Sequence, residues 1–344
     1  MMRYKSILLW LIIVLLFSCK TEEDKKITPL SNESGVDVII LNEGNFGSGN
    51  ASIDWYNSSN NKLYDHVFKS NNQNRPIGDV VQSMQIIGDK GYIVVNNSQK
   101  IEVVNLSDFK SIGSIQGLTS PRYILPINES KAYVSDLYAN AISVINLKDR
   151  VVEKTIPTNG WTEQMVRIED SAYVCDLTNN QLLVLNLQTD SIIKRTQLIR
   201  QPGSMVKDKN NNLWVLCNGG FDEMIPRLYQ INTSGDVIQV VNFDNINQYP
   251  SNLLINEEKD HLFYFNDGIF RMSITDKSLP SQPFIEKKGR LFYGMGFHPS
   301  SSELYVADAI DYQQRGKVYR FDLEGNEIAT FQAGIIPTGF IFTP

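Results

Sequence analysis

Cysteine and histidine are both scarce in this 344-residue chain, which contains three of each. Three cysteines are too few for a disulfide-built scaffold. The histidines (His66, His261 and His298) stand far apart, without the His-x-His or His-Glu-x-x-His spacing that brings two nitrogens to one metal ion. No Gly-x-Ser-x-Gly nucleophile elbow occurs, and no glycine-rich loop opens a helix. These absences argue against the common metalloenzyme and nucleophile-dependent mechanisms.

Basic charge and helical periodicity are also lacking. The chain has 32 Lys+Arg against 38 Asp+Glu, a formal net charge of −6. This balance argues against a general nucleic-acid binder, which needs a basic face to neutralise phosphates. The 42% hydrophobic and 10% aromatic content is ordinary for a globular protein and excludes a disordered or collagen-like chain. No apolar stripe with a 3.6-residue period follows the N-terminal region, so a β-rich fold is expected.

The N-terminus contains an apolar run of 11 residues, Ile7–Phe17, which is too short to span a bilayer. Arg3 and Lys5 precede it, and it leads into Leu16-Phe17-Ser18-Cys19, which resembles a bacterial lipobox. We therefore predict a lipoprotein signal peptide over residues 1–18 and lipidation of Cys19. An ordinary secretory signal with a chance cysteine is the alternative.

Residues 19–34 are charged and free of aromatic side chains, so they cannot bury enough surface to fold and are predicted to be a flexible tether. The acidic cluster Glu22-Glu23-Asp24 resembles the signal that sends lipoproteins to the cell surface in one Gram-negative phylum. The expected location is the outer membrane, facing the cell exterior, with membrane contact only through the lipid anchor. Residues 35–344 are predicted to form one domain.

An internal repeat determines the predicted fold of that domain. A run of aromatic and aliphatic residues ending in Asn or Asp recurs six times: Tyr92–Asn96, Tyr133–Asp136, Tyr173–Asp176, Trp214–Asn218, Phe263–Asn266 and Tyr305–Asp308. A second apolar run follows each, starting at positions 101, 142, 182, 228, 269 and 318, with steps of 41, 40, 46, 41 and 49 residues. With a short strand before and after, each unit makes a four-stranded propeller blade.

The two ends of the domain supply one further blade. Before the six units, Val36–Leu41, Ser52–Tyr56 and Leu63–Phe68 provide three strands, and after them Ile336–Phe342 provides one. Joining these ends leaves no open sheet. We predict an all-β, seven-bladed β-propeller closed by pairing of the N- and C-terminal strands, with the C-terminal strand innermost.

Two sets of residues could carry chemistry but have simpler interpretations. Cys175 and Cys217 end the aromatic strands of successive units. Export would permit a bridge between them, although buried free thiols are favoured. Carboxylates that follow the aromatic strands are interpreted as turn residues bonding their own backbone. A Ca²⁺ site in the funnel, as in some propeller lactonases, is the alternative for these carboxylates, which are Glu43, Asp136, Asp176, Asp267 and Asp308.

Aromatic, amide and charged side chains cluster in the loops of one propeller face. Large flat side chains beside amides suit a bulky, partly apolar ligand with many polar substituents. The alternative is that some rings wedge between blades. No residue is predicted to be catalytic or to bind a metal, and the protein is expected not to be an enzyme. The candidate ligand-binding residues are Asn42, Glu43, Asn45, Phe46, Arg75, Arg122, Tyr138, Asn140, Trp161, Glu163, Gln164, Phe221, Tyr249, Tyr293 and Tyr312.

Three segments carry a family resemblance: Leu41–Gly47, Ala51–Ile53 and Gly78–Met84, the last reading Gly-Asp-Val-Val-Gln-Ser-Met. They resemble the YncE-like propeller lipoproteins, which include BtuG-type surface proteins that capture cobalamin and pass it to a TonB-dependent outer-membrane transporter. The resemblance spans about residues 36–344. It implies cobalamin or a related corrinoid as the bound ligand, such a transporter as the partner, and no catalytic cofactor. It identifies no individual ligand contact.

Other functions remain open at this point. A surface propeller could bind a glycan or another nutrient, because exposed aromatic rings stack on sugars equally well. A metal-dependent propeller lactonase or lyase would hold a divalent ion in the funnel. A propeller that docks only proteins is also compatible, since a fold does not specify a function.

Overall fold

The computed structural model describes residues 37–220 and 223–343, which form seven four-stranded antiparallel sheets arranged as a ring. The first three strands belong to the blade that closes the ring, blade 7: β1 (Asp37–Asn42), β2 (Ser52–Asn57) and β3 (Lys62–Tyr64). A short helix, α1 (Val67–Asn71), leads from blade 7 to blade 1.

Blades 1 to 6 follow in chain order, each listed from the channel outwards. Blades 1 to 3 comprise β4 (Val81–Ile87), β5 (Lys90–Val95), β6 (Lys100–Asn105), β7 (Ser111–Ile115); β8 (Pro121–Pro126), β9 (Lys131–Asp136), β10 (Ala141–Asn146), β11 (Val151–Pro157); β12 (Thr162–Ile168), β13 (Ser171–Asp176), β14 (Gln181–Asn186) and β15 (Ser191–Gln197). A 3-10 turn, Asn96–Ser98, joins β5 to β6.

The remaining strands complete the ring. Blades 4 to 6 comprise β16 (Pro202–Lys207), β17 (Leu213–Cys217), β18 (Arg227–Ile231), β19 (Val237–Asn242); β20 (Ser251–Ile255), β21 (His261–Phe265), β22 (Gly268–Ser273), β23 (Ile285–Glu286); β24 (Phe292–Phe297), β25 (Leu304–Asp308), β26 (Arg315–Phe321) and β27 (Glu327–Ile335). The last strand, β28 (Pro337–Phe342), returns to blade 7.

Strand β28 is the innermost strand of blade 7, which confirms the predicted closure. It pairs antiparallel with β1, placing Ile39 opposite Ile341 and Ile40 opposite Phe340. The first strands of neighbouring blades contact each other around the ring, so β28 lies between β24 and β4 beside the channel. The seven-bladed β-propeller predicted from the repeat is therefore the observed fold.

The apolar core lies between the blades rather than within them. The second strand of each of blades 1 to 6 is buried along nearly its whole length, and Val134 and Val174 are fully buried examples. One cluster joins Tyr133 and Val144 of blade 2 to Val174 and Leu185 of blade 3. Burying one such aliphatic side chain stabilises the fold by about 1.5–3 kcal/mol, so each blade depends on its neighbours.

One predicted strand is wrong. Residues 63–68 were expected to continue as a strand, but β3 ends at Tyr64 and α1 begins at Val67. His66 takes a left-handed backbone conformation with φ 53°, and its N–H donates to Asp54 Oδ1 at 2.9 Å. The buried Asp54 carboxylate thus stabilises a turn at His66. After this turn, Val67 and Phe68 bury their side chains from a helix.

Cys175 and Cys217 are free and buried, and burial raises the pKa of both thiols above its ordinary value. They lie in one apolar cluster between blades 3 and 4. Across residues 37–220 and 223–343, no helix has the length and hydropathy needed to cross a bilayer.

Candidate functional site

All the described candidate residues lie at one end of the channel, which we call the mouth. Innermost strands begin at this end, and because the second strand of each blade is antiparallel to the first, second strands finish there. The candidates occupy these strand ends and the loops beside them. Phe221, like Cys19, lies outside the described residues.

A β-bulge occurs at the same place in every innermost strand. In all seven blades the pairing between the first and second strands shifts immediately after the first residue of the inner strand. A bulge inserts one extra residue and re-aims its side chain. The residues at this second position form what we call the bulge ring: Gln82, Arg122, Glu163, Gly203, Asn252, Tyr293 and Thr338.

The bulge ring lines two cavities of the channel. One cavity, of about 230 Å³, is lined by the ring residues Arg122, Glu163, Gly203 and Asn252. A second, of about 260 Å³, is lined by Gln82, Asn252 and Thr338 together with residues deeper in the channel. The mouth therefore presents mainly polar side chains on the innermost strands.

Arg122 links three ring positions. Its Nε donates to Glu163 Oε1 at 2.7 Å, and its Nη1 donates to Gln82 Oε1. Trp161 Nε1 also donates to Glu163 Oε1, at 2.6 Å, and its ring lies 6.0 Å from the Arg122 guanidinium carbon. Burial raises the pKa of Glu163, although Arg122 and Trp161 oppose that shift. Beside this pair, burial raises the pKa of Tyr123 to about 12.

A second group forms across the mouth around Tyr293. The Tyr293 hydroxyl donates to Glu43 Oε2 at 2.8 Å, and its ring meets that of Tyr312 edge to face, with centroids 5.7 Å apart. Asn45 Nδ2 donates to the Tyr312 carbonyl oxygen. Burial raises the pKa of Glu43, and the Tyr293 hydroxyl and the Arg122 charge oppose this only in part. The charge of Arg122 thus acts on Glu43, so the two groups interact electrostatically across the channel.

Aromatic side chains stand exposed around the mouth. The exposed fractions are 78% for Phe46, 69% for Tyr138, 45% for Tyr249 and 41% for Tyr312. These four rings do not wedge between blades. The Phe46 loop is nevertheless held in place, because Gly47 N–H donates to Asp79 Oδ2 at 2.8 Å. Exposed aromatic rings on an ordered rim are typical of a binding surface.

Three of the candidates at this end of the channel are engaged in contacts within the fold. Asn42 is fully buried, where its amide donates to Ser52 and Asp54 and accepts the Gly334 N–H. Arg75 pairs with Glu102 of β6 at 2.7 Å, away from the innermost strands. Asn140 supports a turn through its left-handed backbone, and its carbonyl accepts the Thr158 N–H at 2.9 Å. The geometry gives Asn42 a structural role.

Gln164 lies directly inside the bulge ring. Its Oε1 accepts the Met205 N–H at 2.9 Å, so this side chain ties blade 3 to blade 4 while lining both cavities.

Three of the five carboxylates considered for Ca²⁺ accept backbone N–H groups at turns, whereas Glu43 accepts the Tyr293 hydroxyl and Asp267 pairs with Lys287. Asp136 accepts the N–H groups of Ser120 and Tyr138 at 2.9 Å each, and Asp308 accepts those of Leu291 and Ile310 at 2.9 Å each. Asp176 likewise accepts the N–H of Asn179. Within the described part of the chain, no three His, Cys, Asp or Glu side chains are grouped as metal ligands.

Reasoning from the sequence missed four ring members, Gln82, Gly203, Asn252 and Thr338. A usable signal was present, because four inner strands have methionine two residues after the bulge. Aligning those strands on Met84, Met165, Met205 and Met295 places Gln82, Glu163, Gly203 and Tyr293 in one column.

Comparison with known proteins identifies a family and a fold. A family model described as "Domain of unknown function (DUF5074)" matches residues 37–343. No curated protein sequence matches the chain.

Solved structures resemble the chain at low identity. A "Quinonprotein alcohol dehydrogenase-like protein" from Bacteroides thetaiotaomicron aligns with a TM-score of 0.70 at 16% identity, covering 88% of this chain and 78% of that one. A "putative 6-phosphogluconolactonase" from Bacteroides fragilis gives 0.67 at 12% identity, covering 92% and 100%. Virginiamycin B lyase from Staphylococcus aureus gives 0.55 at 12%, covering 76% and 90%. At these identities the likeness shows the propeller fold alone.

Proposed function

The chain belongs to the DUF5074 family, and we propose that it is a surface lipoprotein that binds cobalamin or a related corrinoid at the mouth. In this proposal it delivers the ligand to a TonB-dependent outer-membrane transporter. The observation that carries the proposal is the combination of exposed rim aromatics, such as Phe46 and Tyr138, with a polar bulge ring beneath them. The resemblance to BtuG-type proteins supports the choice of ligand.

The chemistry of the ligand matches the mouth. Cobalamin is a wide corrin disc fringed with amide-bearing arms, too large for either cavity but suited to an open mouth. Rim aromatics can cover the disc, because flat rings bury much apolar area at little cost in side-chain entropy. Amides and the Arg122 guanidinium can pair with the fringe. Capture for transport can leave the axial ligands of cobalt in place, so the proposal requires no protein ligand to the metal and no catalytic residue.

Display at the cell surface is part of the same proposal and depends on Cys19 and the tether behind it. A lipid at Cys19 would hold the propeller to the outer membrane and leave the domain in water. Protease accessibility on intact cells tests the orientation. Cleavage of the propeller only after cell lysis would contradict surface display.

Binding is tested by titrating purified residues 20–344 with cyanocobalamin and following corrin absorbance and equilibrium dialysis. We expect saturable binding with submicromolar affinity, and the absence of affinity at micromolar ligand would end the proposal. Calcium-dependent lactone hydrolysis by the same preparation would favour the lactonase alternative instead.

The rim variants Phe46→Ala and Tyr138→Ala sharpen that test. Each is expected to weaken cyanocobalamin binding about tenfold, as loss of an aromatic interface anchor typically does. The matched control is Ile193→Ala on the outermost strand of blade 3, where Ile193 is 59% exposed. All three variants should retain the wild-type melting temperature. Equal affinity in the rim and control variants would place the ligand elsewhere.

A further inference from the structure

The bulge ring has one gap, at Gly203 of blade 4. On either side the ring carries Glu163 from blade 3 and Asn252 from blade 5. The 230 Å³ cavity lies between these two side chains and is lined by Gly203 itself. The cavity therefore occupies the place where the other six blades put a side chain.

The backbone does not require glycine at this position. Gly203 lies outside the left-handed φ region, and an added Cβ would meet nothing closer than the Gln201 carbonyl oxygen at 3.9 Å. Gly294 of blade 6 is the contrasting case, because its Cβ would lie 2.1 Å from the Thr338 carbonyl oxygen. Packing thus explains the glycine in blade 6, whereas in blade 4 the missing side chain only leaves space.

The walls of the gap are mainly polar and close to neutral in charge, although Leu177, Leu216 and Pro250 also line the cavity. Arg122 and Glu163 compensate each other at 2.7 Å. Asn252 donates through Nδ2 to the Tyr293 carbonyl oxygen, which leaves its Oδ1 as an acceptor. Ser204 Oγ accepts the Leu253 N–H and keeps its own hydroxyl proton to donate. Gln201 adds a further amide.

We propose that the Gly203 gap is a subsite for an uncharged side arm of the primary-amide class, which both donates and accepts hydrogen bonds. A charged arm would lose its hydration without finding an opposite charge that is not already paired. An aliphatic arm would leave the amides unsatisfied. The assignment rests on the proposed function in taking the mouth as the ligand site. It makes Gly203 a residue that determines specificity by being small.

A graded series of substitutions tests the gap. With cyanocobalamin as the probe, we expect Gly203→Ala to weaken binding about threefold and Gly203→Val or Gly203→Gln by tenfold or more, because each fills more of the cavity. Gln restores the side-chain type that Gln82 supplies in blade 1, so it separates filling of the gap from loss of polarity. Unchanged melting temperatures are expected, and wild-type affinity in both the Val and Gln variants would overturn the subsite.

Small probes test the chemistry of the gap independently of any corrinoid. Crystals of the wild-type protein soaked in propionamide are expected to show density beside Gly203, and soaking in sodium propionate is not. The Gly203→Ala and Gly203→Val crystals should lose the propionamide density. Equal density for amide and carboxylate would overturn the neutral class.

The two experiments separate the possible failures. If cyanocobalamin binds but Gly203 variants bind it normally, the subsite is wrong while the proposed function stands. If cyanocobalamin does not bind but propionamide occupies the gap, the proposed function fails while the subsite stands.

Discussion

Arg122 and Glu163 pay a desolvation cost at the mouth, which their mutual contact and their hydrogen bonds with Gln82 and Trp161 offset. Their side chains are 20% and 5% exposed and meet at 2.7 Å. Replacing a buried pair with uncharged groups is often tolerated, whereas removing one partner leaves an uncompensated charge. The pair can therefore position ring side chains without giving the mouth a net charge.

We predict that Arg122→Met lowers the free energy of unfolding by about 3 kcal/mol at pH 8. Without Arg122 the folded-state pKa of Glu163, already raised by burial, rises further. The folded protein then binds a proton that the unfolded chain releases, so stability increases as pH falls toward 5. Urea unfolding at pH 8 and pH 5 measures both values.

The control for this prediction is the double variant Arg122→Met/Glu163→Gln, which also removes the Glu163 charge that Arg122→Met leaves unpaired. It should recover much of the stability at pH 8 and lose the additional pH dependence. If Arg122→Met loses the same free energy of unfolding at both pH values, the loss comes from packing of the Arg122 aliphatic stem and not from the unpaired charge of Glu163.

Strand β1 ends at Asn42, whose side-chain amide links the start of the propeller to β27 near its C-terminus. Asn42 contacts Ser52 and Asp54 of β2 on one side and the Gly334 backbone of β27 on the other. One fully buried amide thus links blade 7 to blade 6 near the mouth. Its hydrogen bonds fix where the Glu43–Phe46 loop leaves the sheet.

Asn42→Ala is predicted to lower the free energy of unfolding by about 2–3 kcal/mol, since it leaves buried polar partners without a hydrogen bond. Gln188→Ala is the matched control. Gln188 is exposed in a turn, and its side-chain amide makes no hydrogen bond among the described residues. Guanidinium unfolding compares the two. A loss below about 0.5 kcal/mol for Asn42→Ala would mean that water replaces the amide.

At the scale of structural elements, the periodicity of the sequence predicts the strands of the blades better than the bulges within them. The Tyr133–Asp136 type of run is readable because a strand buried on both faces needs several apolar residues in succession. The bulge residues themselves have no such signature, since Gln82, Glu163 and Gly203 share a position but no chemistry, and in four blades only the methionine two residues later marks the position. Arg122 and Tyr293 were therefore found from residue type, without the geometry that places them in a ring.

The helix α1 marks another limit of prediction at this scale. Val67 and Phe68 extend the apolar pattern of β3, so local sequence favours a strand. A contact with Asp54, twelve residues earlier than His66, overrides that preference. Tertiary hydrogen bonds of this kind are not visible in a local pattern.

In the whole molecule, closure of the ring and formation of the mouth are one event. Blade 7 supplies the Glu43–Phe46 loop from its second strand, and β28 supplies Thr338 to the bulge ring. The count of strands at the two termini predicted this closure, because an incomplete blade would leave an open edge. The ligand could not be predicted in the same way, because the repeat specifies a scaffold on which the mouth loops vary.

Removing β28 should therefore abolish both cooperative folding and the mouth. Truncation after Gly334 exposes β1, whose residues Ile39 and Ile40 are fully buried in the intact ring. Since β28 is held by backbone pairing with β1 and by the contact of Phe340 with Tyr305, at 5.8 Å between ring centroids, a peptide of residues 335–343 should bind the truncated chain and restore it. Thermal melting and cyanocobalamin binding measure the recovery.

A peptide with Phe340→Ser should restore neither, because it places a hydroxyl in the apolar site that the ring of Phe340 fills. If the truncated chain melts cooperatively at the wild-type temperature without peptide, then the ring closes with only three strands in blade 7 and β28 is not what completes the mouth.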